Sequence, residues 1–149
     1  MITVRRMEER DVTEAARLEA DNFSQAWSEH AFLETLRCDY AYYYVAECDE
    51  MDKTGKVVGI CGLRNIAGEG EITNVVTNQN YRRMGIAKML LQRVLSDGEG
   101  LGIEAFTLEV RSTNQPAIAL YEKLGFESVG VRKNFYTNPK EDALIMWKR

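Results

Sequence analysis

The period with which apolar residues recur changes several times along the chain, and each period predicts one kind of element. Alternation of apolar and polar residues predicts seven strands, over residues 2–6, 40–47, 57–65, 71–77, 105–110, 127–133 and 142–148. Apolar residues spaced three or four apart predict four helices, over about residues 11–22, 28–39, 85–96 and 114–124. The predicted order along the chain is therefore β-α-α-β-β-β-α-β-α-β-β.

Polar residues, prolines and glycines predict where these helices begin and end. Residues 11–14, Asp-Val-Thr-Glu, have the pattern of a capping box for the first helix, and Ser28 is the expected N-cap of the second. Residues 97–98, Asp-Gly, are expected to stop the third helix. Pro116 is tolerated in the first turn of the fourth, and Gly125 is expected to end it in a left-handed conformation. Each predicted helix thus has at least one boundary signal.

The connections between the predicted strands set their directions. The polar turns at residues 49–56 and 67–70 are short, so the strands that they join should pair antiparallel. The helix at residues 85–96 is a crossover, which requires the strand at 105–110 to lie parallel to the strand that ends at Thr77. We therefore expect an α/β fold with a mixed central sheet of about seven strands flanked by four helices.

The composition is that of one soluble globular domain spanning residues 1–149. The chain is 45% hydrophobic and 28% charged, which is ordinary for such a domain. No apolar run approaches the length of a membrane span, and the polar N-terminus is unlike a signal peptide. These features favour a cytoplasmic protein that does not bind a membrane.

The counts of cysteine, histidine and charged residues argue against several kinds of function. Three cysteines without Cys-x-x-Cys spacing and a single histidine, His30, argue against a disulfide framework or a zinc site. The formal net charge of -4 disfavours direct binding of nucleic acid. We therefore expect no metal and no nucleic-acid partner.

A basic loop that runs into the third predicted helix is the clearest chemical signal. Residues 80–91 read Asn-Tyr-Arg-Arg-Met-Gly-Ile-Ala-Lys-Met-Leu-Leu. A helix start presents unpaired backbone N–H groups and the positive end of the helix dipole, and Gly85 and Ala87 would let a phosphate approach that backbone closely. The spacing matches neither the P-loop nor the dinucleotide-binding fingerprint. The loop therefore predicts a phosphate site of another kind.

The spacing Arg82-x-x-Gly85-x-Ala87 resembles the pyrophosphate loop of the GNAT superfamily, the acetyl-coenzyme A-dependent N-acetyltransferases, and the predicted order of elements is that of the GNAT fold. Within this superfamily the chain resembles the ribosomal-protein-alanine N-acetyltransferases, the RimI type. The resemblance covers nearly the whole chain and includes these further blocks: Trp27-Ser28, Leu108-Glu109-Val110-Arg111, Asn114, Ala119-Leu120-Tyr121-Glu122-x-Leu124-Gly125-Phe126, Arg132-x-Asn134-x-Tyr136 and Glu141-Asp142-Ala143-x-x-Met146.

The resemblance implies that the chain uses acetyl-coenzyme A as its cosubstrate. The pantetheine arm would pair with the end of a strand, where a backbone N–H would hold the thioester oxygen, and we take Val76 as the candidate donor. Asn114 would cap a helix, contact the cofactor, or do both. The residues expected at the cofactor are Val75, Val76, Thr77, Arg82, Arg83, Met84, Gly85, Ile86, Ala87, Lys88 and Asn114.

Glu109 and Tyr121 match the family's general base and general acid. From the pattern alone, Glu109 occupies an outward position of an alternating strand and Tyr121 fills the apolar face of its helix. The resemblance implies instead that Glu109 takes a proton from the incoming ammonium. A phenol, with a pKa near about 10, is a weaker acid than a thiol, near about 8.5. We therefore expect Tyr121 chiefly to hydrogen-bond the departing thiolate.

The resemblance also implies contacts with a peptide acceptor, at Trp27, Asn134, Tyr136 and Glu141. Packing explains Trp27 and Tyr136 equally well. The chain departs from its relatives at Ala26, where a proline is usual, and at Phe135, where a tyrosine is common. These departures leave the peptide preference open.

The expected reaction is transfer of acetyl from acetyl-coenzyme A to a protein N-terminal α-amine, with the N-terminal alanine of ribosomal small-subunit protein number eighteen as the best single candidate. No cysteine matches a nucleophile position, so we expect direct attack within a ternary complex. One alternative is the same fold acting on lysine side chains or small amines. Another is a non-catalytic acyl-coenzyme A sensor, against which the pair of Glu109 and Tyr121 argues, since a binder needs only the loop.

Overall fold

The computed structural model describes residues 1–50 and 53–149. The strands within them are β1 (Ile2–Arg6), β2 (Ala41–Glu50), β3 (Lys53–Ile66), β4 (Glu69–Thr77), β5 (Ala105–Arg111), β6 (Glu127–Tyr136) and β7 (Glu141–Lys148). The α-helices are α1 (Val12–Asn22), α2 (Glu29–Leu36), α3 (Ile86–Gly100) and α4 (Gln115–Lys123). The predicted order of elements is confirmed. Among the described residues, no helix is both long and apolar enough to cross a membrane.

The strands form one mixed sheet in the order β1-β2-β3-β4-β5-β7-β6. β4 and β5 pair in parallel, as the crossover through α3 requires, and the other neighbouring pairs are antiparallel. The mixed sheet with flanking helices that the sequence predicts is therefore confirmed. Its parallel junction, between β4 and β5, lies in the middle of the sheet.

Apolar side chains cover both faces of the sheet and form two cores. α3 packs on one face through residues such as Leu90, and α2 packs on the other through Phe32. Successive side chains of a strand point to opposite faces. Leu108 and Val110 of β5 join the α3 core, so Glu109, between them, points to the face that carries α1 and α2.

The predicted capping box of α1 is wrong. The Asp11 side chain makes no cap for α1, because its carboxylate accepts the Glu8 N–H at 2.8 Å and pairs with Arg5 at 2.8 Å. Glu14 accepts the N–H of Val57 on β3 at 3.0 Å. Partners distant in the fold therefore take both side chains away from the local cap.

The predicted stop at Asp97-Gly98 is also wrong, because α3 continues to Gly100. Gly98 faces Phe106 so closely that a Cβ on Gly98 would lie 2.6 Å from the ring. Asp97 accepts a hydrogen bond from the Tyr44 hydroxyl at 2.6 Å. The glycine permits close packing of α3 on the sheet, and the aspartate is an anchor to β2, so neither ends the helix.

Several strands extend beyond their predicted ends. β2 runs to Glu50 and β3 begins at Lys53, so the polar turn expected at residues 49–56 is wrong where it can be checked, and residues 51–52 lie outside the described part. β6 continues to Tyr136 because the hairpin with β7 pairs up to that residue.

The predicted caps of α2 and α4 are confirmed, although α2 ends at Leu36, before the predicted end near residue 39, and β4 begins at Glu69, before the predicted start at residue 71. Ser28 caps α2, since its Oγ accepts the Ala31 N–H at 3.1 Å. Asn114 caps α4 in the same way through its contact with the Ala117 N–H at 3.3 Å. Gly125 follows α4 with a φ of +100°, the left-handed conformation that glycine adopts without strain.

Candidate active site

β4 and β5 pair side by side along a short stretch and then separate. Their register joins Glu69 to Ala105, Gly70 to Phe106 and Glu71 to Thr107. Farther along, β5 continues its pairing with β7 while β4 continues with β3. The carboxyl ends of the two strands therefore border a gap, which is where ligands of open sheets bind.

A bulge in β4 lies beside this gap. On β3, Gly62 pairs with Thr73 and Ile60 pairs with Val76, so two residues of β4, Asn74 and Val75, lie opposite Cys61. Asn74 has a left-handed φ of +53°. A bulge bends its strand and redirects the groups that follow. The bulge thus separates β4 from β5.

The hydrogen-bond direction along β4 shows which N–H groups face the gap. The Asn78 N–H donates to the Val58 carbonyl of β3 at 2.8 Å. Because N–H directions alternate along a strand, the N–H groups of Thr77 and Val75 turn away from β3, and that of Val76 turns toward it. This pattern favours Val75 over Val76 as the donor to a ligand oxygen in the gap.

The predicted phosphate loop, residues 82–88, follows β4 and leads into α3. Arg83 and Gly85 have left-handed φ angles of +69° and +75°. Gly85 is the N-cap of α3, and it offers no side chain to satisfy the first N–H groups of this 15-residue helix. Those N–H groups and the positive end of the helix dipole are left to an anionic ligand.

The charges of the phosphate loop fit a pyrophosphate. Arg82, Arg83 and Lys88 are exposed, and in the part of the chain that the structure describes none of them forms an ion pair. Arg93, farther along α3, differs because its Nε pairs with Asp97 at 3.0 Å. Arg93 therefore belongs to the packing of α3 and not to the phosphate loop.

Glu109 occupies one of the less buried positions of the alternating strand β5, as its pattern predicts, but it lies on a partly shielded surface. Its side chain is 30% exposed, and its Oε1 lies 3.3 Å from the Arg132 Nε of β6. Its Oε2 is buried and has no hydrogen-bond partner among the described residues. A buried carboxylate oxygen without a donor is costly unless a ligand completes it. Glu109 therefore has one oxygen ready to accept a proton or a hydrogen bond.

Tyr121 lies on α4 with 6% of its surface exposed. Its ring meets Phe126 edge-on, with 6.0 Å between the ring centroids. Burial raises the pKa of its hydroxyl, and the neighbouring Cys61 and Tyr136 raise it further. Tyr121 is therefore a weaker acid than free tyrosine, as its expected role of hydrogen-bonding a thiolate allows.

Tyr136, at the end of β6, links the two predicted catalytic residues. Burial raises the pKa of Tyr136 to about 12, and the negative charge of Glu109 adds to this rise. The Tyr136 hydroxyl also interacts electrostatically with that of Tyr121. The Arg111 guanidinium lies over the Tyr136 ring, 4.4 Å from its centroid. Tyr136 thus lies within electrostatic range of both Glu109 and Tyr121.

Glu141 is held by internal contacts. Its carboxylate accepts the Thr113 N–H at 2.8 Å and pairs with Arg111 at 3.2 Å. The Thr113 hydrogen bonds and the Arg111 charge hold the pKa of Glu141 below its usual value. These contacts tie the start of β7 to the loop between β5 and α4. We call Glu109, Arg111, Arg132, Tyr136 and Glu141 the acceptor side of the gap.

The two other expected peptide contacts, Trp27 and Asn134, lie on different segments of the chain. Trp27 precedes α2 and stacks on Tyr43, with 5.8 Å between the ring centroids. The Tyr43 hydroxyl in turn donates to Asn74 Oδ1 of the bulge at 2.9 Å. Asn134 lies on the β6–β7 hairpin, where its N–H donates to Asp142 at 2.9 Å. Trp27 is therefore connected to the gap through Tyr43, whereas Asn134 is held on the hairpin.

Three charged residues at the site have no role in the sequence-based expectations. Arg132 pairs with Glu109, Arg111 pairs with Glu141, and Glu19 is buried beside Trp27. Both arginines stand inside blocks that carry the family resemblance, but their partners are distant in sequence. Glu19 falls four residues after buried Ala15, on the inner face of α1, and a carboxylate at such a position is the signal that identifies it.

The chain is similar to known proteins in both sequence and structure. The model of the family described as Acetyltransferase (GNAT) family matches residues 12–126. The chain is 30% identical to the ribosomal protein bS18-alanine N-acetyltransferase of Escherichia coli (strain K12), over 98% of this chain and 96% of that protein. The crystal structure of the ribosomal-protein-S18-alanine N-acetyltransferase from Escherichia coli is 29% identical, covers 99% of this chain and 93% of its own, and superposes with a TM-score of 0.86.

A more distant solved structure shares the fold. Arabidopsis thaliana NAA60 in complex with acetyl-CoA superposes with a TM-score of 0.89 at 18% identity, covering 99% of this chain and 97% of its own. At that identity the likeness concerns the fold alone.

Proposed function

The chain belongs to the acetyltransferase (GNAT) family and is an acetyl-CoA-dependent N-acetyltransferase, and we propose that its acceptor is a protein N-terminal α-amine. The proposed acceptor is the N-terminal alanine of ribosomal protein bS18, the substrate for which the Escherichia coli relative is named. The single observation that carries this proposal is the buried, partnerless Oε2 of Glu109 on the acceptor side of the gap.

The gap and the phosphate loop together suit a long thioester cosubstrate. Acetyl-CoA supplies an activated acetyl group and a thiolate leaving group. The phosphate loop, with Arg82, Arg83 and Lys88, binds its pyrophosphate, and the N–H groups of Val75 and Thr77 bind its pantetheine arm. The Val75 N–H donates to the thioester oxygen as negative charge develops there. Asn114 keeps its side-chain amide N–H groups for the same arm while its oxygen caps α4.

Glu109 accepts the proton of the incoming ammonium, while Arg132 fixes the other carboxylate oxygen. An α-ammonium has a pKa near about 8 and a lysine ammonium near about 10.4, so deprotonating the α-amine costs roughly 3 kcal/mol less. This difference favours N-termini over lysine side chains as acceptors.

The acceptor then attacks the thioester directly, in a complex that holds both substrates. Cys61, which lies opposite the β4 bulge, does not serve as a nucleophile in this proposal, because burial raises the pKa of its thiol to about 12 and keeps it neutral. Tyr121 donates a hydrogen bond to the departing sulfur, and the raised pKa of its hydroxyl leaves full protonation of the thiolate to solvent.

The charges of the acceptor side argue against a polyamine or other polycation as the acceptor. Glu109 is matched by Arg132, and Glu141 is matched by Arg111. The carboxylates of this side are thus neutralised by arginines, whereas a site for polycations needs an excess of acidic charge.

The test follows thiol release from acetyl-CoA with peptides copied from the N-terminus of bS18. The panel begins in Ala, Ser, Met or acetyl-Ala, and every peptide carries one lysine. We expect turnover with the free alanine N-terminus and none with the acetyl-Ala peptide, because the lysine amine remains charged. Acetylation of lysine in the blocked peptide, with none at free N-termini, would contradict the α-amine assignment.

A further inference from the structure

The helix α1 buries a carboxylate that the proposed reaction does not use. Glu19 is 2% exposed, and no ion pair neutralises it within the described residues. Burial raises its pKa, and its Oε2 is shielded without a hydrogen-bond partner in the same part of the chain. Carboxylates are seldom buried in this way without a strong reason.

The partners of Glu19 come from two different parts of the fold. Its Oε1 accepts the Trp27 N–H at 3.4 Å, on the segment between α1 and α2. Its carboxylate also faces the side-chain amide of Asn74, the bulge residue of β4, and this interaction counteracts the rise in the pKa of Glu19. The Asn74 Oδ1 already accepts the Tyr43 hydroxyl, so its amide nitrogen is the group that can donate to Glu19.

Further contacts close this arrangement into a ring. The Trp27 ring stacks on Tyr43, whose hydroxyl contacts both Thr73 at 2.8 Å and Asn74 at 2.9 Å. Asn74 directly precedes Val75, whose N–H faces the gap. Glu19 therefore touches the segment that carries Trp27 on one side and the residue that shapes the bulge on the other.

We propose that Glu19 is a positioning residue that sets the acceptor and the thioester at a fixed separation, by holding the Trp27 segment and the β4 bulge with one carboxylate. The inference rests on the proposed function, in which Val75 binds the thioester oxygen, and on the expected contact of Trp27 with the peptide acceptor. Reaction rates are sensitive to such spacing, since a misplacement of about 1 Å costs on the order of 100-fold.

The first test compares Glu19→Ala with Glu14→Ala. Glu14 is a matched control, because it lies on the same helix and also accepts a distant backbone N–H, that of Val57. We expect Glu19→Ala to lower kcat by about 10- to 100-fold and to raise the KM for the alanine peptide, with the Kd of acetyl-CoA within about twofold of the parent. Glu14→Ala should lower Tm and leave kcat and both constants unchanged.

Conservative variants separate positioning from folding. Glu19→Gln keeps an oxygen for the Trp27 N–H and should recover most of the activity lost in Glu19→Ala. Asn74→Gly keeps the left-handed φ of the bulge while removing its side chain, and should reproduce the kcat loss of Glu19→Ala. The losses in a Glu19→Ala, Asn74→Gly double variant should not add, because both changes break one connection. If Glu19→Ala does not fold, Glu19→Gln and Asn74→Gly carry the test in the same way.

Hydrogen exchange gives a readout that does not need activity. Glu19→Ala should lose protection at the Trp27 N–H and at residues 74–77, whereas Glu14→Ala should keep it at both. If the unaltered protein acetylates none of the α-amine peptides, the proposed function is wrong. The exchange data would still show whether Glu19 connects the Trp27 segment to the β4 bulge. Parental kcat and peptide KM in Glu19→Ala, or unchanged exchange at residues 74–77, would overturn the inference.

Discussion

At the phosphate loop, Arg82, Arg83 and Lys88 are exposed cations without ion pairs in the described residues, whereas on the acceptor side the arginines are matched by carboxylates. The loop is also contiguous in sequence, and its shape comes from two left-handed residues before α3. The acceptor side joins residues that are more than twenty positions apart. The proposed ligands would account for this difference: a pyrophosphate brings charge that the loop must match, while an amine must lose its charge to react.

Among these variants, replacing the proposed base Glu109 should have the largest effect on turnover. Glu109→Gln should lower kcat by about 100- to 1,000-fold, because the amide cannot accept the ammonium proton. The Kd of acetyl-CoA, measured by titration, should stay unchanged, since the phosphate loop is untouched. Glu71→Gln is the matched control, because Glu71 also pairs with an arginine on the neighbouring strand, Arg64, at 3.5 Å. Full turnover in Glu109→Gln would remove Glu109 from the role of base.

Straining the backbone of the phosphate loop should weaken the binding of acetyl-CoA and leave kcat nearly unchanged. Gly85→Val forces a β-branched residue to a φ of +75° and should raise the KM for acetyl-CoA about tenfold while saturating kcat changes little. Gly68→Val is the control, since Gly68 has a φ of +86° in the turn between β3 and β4. Both variants should lose stability, measured as Tm, but Gly85→Val alone should bind acetyl-CoA more weakly. Equal KM values would show that the loop does not hold the cosubstrate.

Removing the Tyr121 hydroxyl should have a smaller effect on turnover. A hydrogen bond to the developing thiolate is worth on the order of 1 kcal/mol, so Tyr121→Phe should lower kcat by roughly 3- to 10-fold. The loss should shrink with an acetyl thioester of a more acidic thiol, which departs without help. Tyr44→Phe is the control, because Tyr44 is also buried and donates to Asp97 at 2.6 Å, within the α3 core. If the loss of kcat in Tyr121→Phe does not depend on the acidity of the leaving thiol, Tyr121 has a packing role alone.

Acid should weaken the acceptor side before the phosphate loop. The pKa of Glu141 is lowered in the folded protein by Thr113 and Arg111, so its contribution to stability is complete above its unfolded value, about 4.3, and is lost as pH falls through the folded pKa. The Tm of Glu141→Gln should therefore lie below that of the parent at pH 7, and the difference should close below about pH 4. Arg83→Gln should show a small difference that does not depend on pH over this range. A Glu141→Gln difference that stays constant with pH would contradict the ionic account.

The loop was open to prediction from the sequence because its signal is local. Residues 82–88 carry the cations, the glycine and the helix start within one segment, and the structure keeps them in that order. The order of strands and helices could also be predicted, because the spacing of apolar residues within each element depends only on that element. Ser28 and Gly125 also act within one helical turn of their own position.

The predicted helix boundaries are wrong where a residue's conformation or contacts are set by a partner distant in sequence. Asp11 and Glu14 have the spacing of a capping box. Instead, the Asp11 carboxylate pairs with Arg5, and the Glu14 carboxylate accepts the Val57 N–H. Gly98 reads as a helix stop, and only the approach of Phe106 shows it to be a packing glycine. The bulge at Asn74, on which the choice between Val75 and Val76 as the donor depends, is set by the register with β3.

The central claim is that the gap holds acetyl-CoA and the acceptor amine together, so that the acetyl group passes directly between them. Initial rates over a matrix of acetyl-CoA and alanine-peptide concentrations test it most directly. The account predicts double-reciprocal lines that intersect, and no acetylated enzyme in the intact mass after incubation with acetyl-CoA alone. Parallel lines together with a stable acetyl adduct on the enzyme would contradict it, because they require a covalent intermediate.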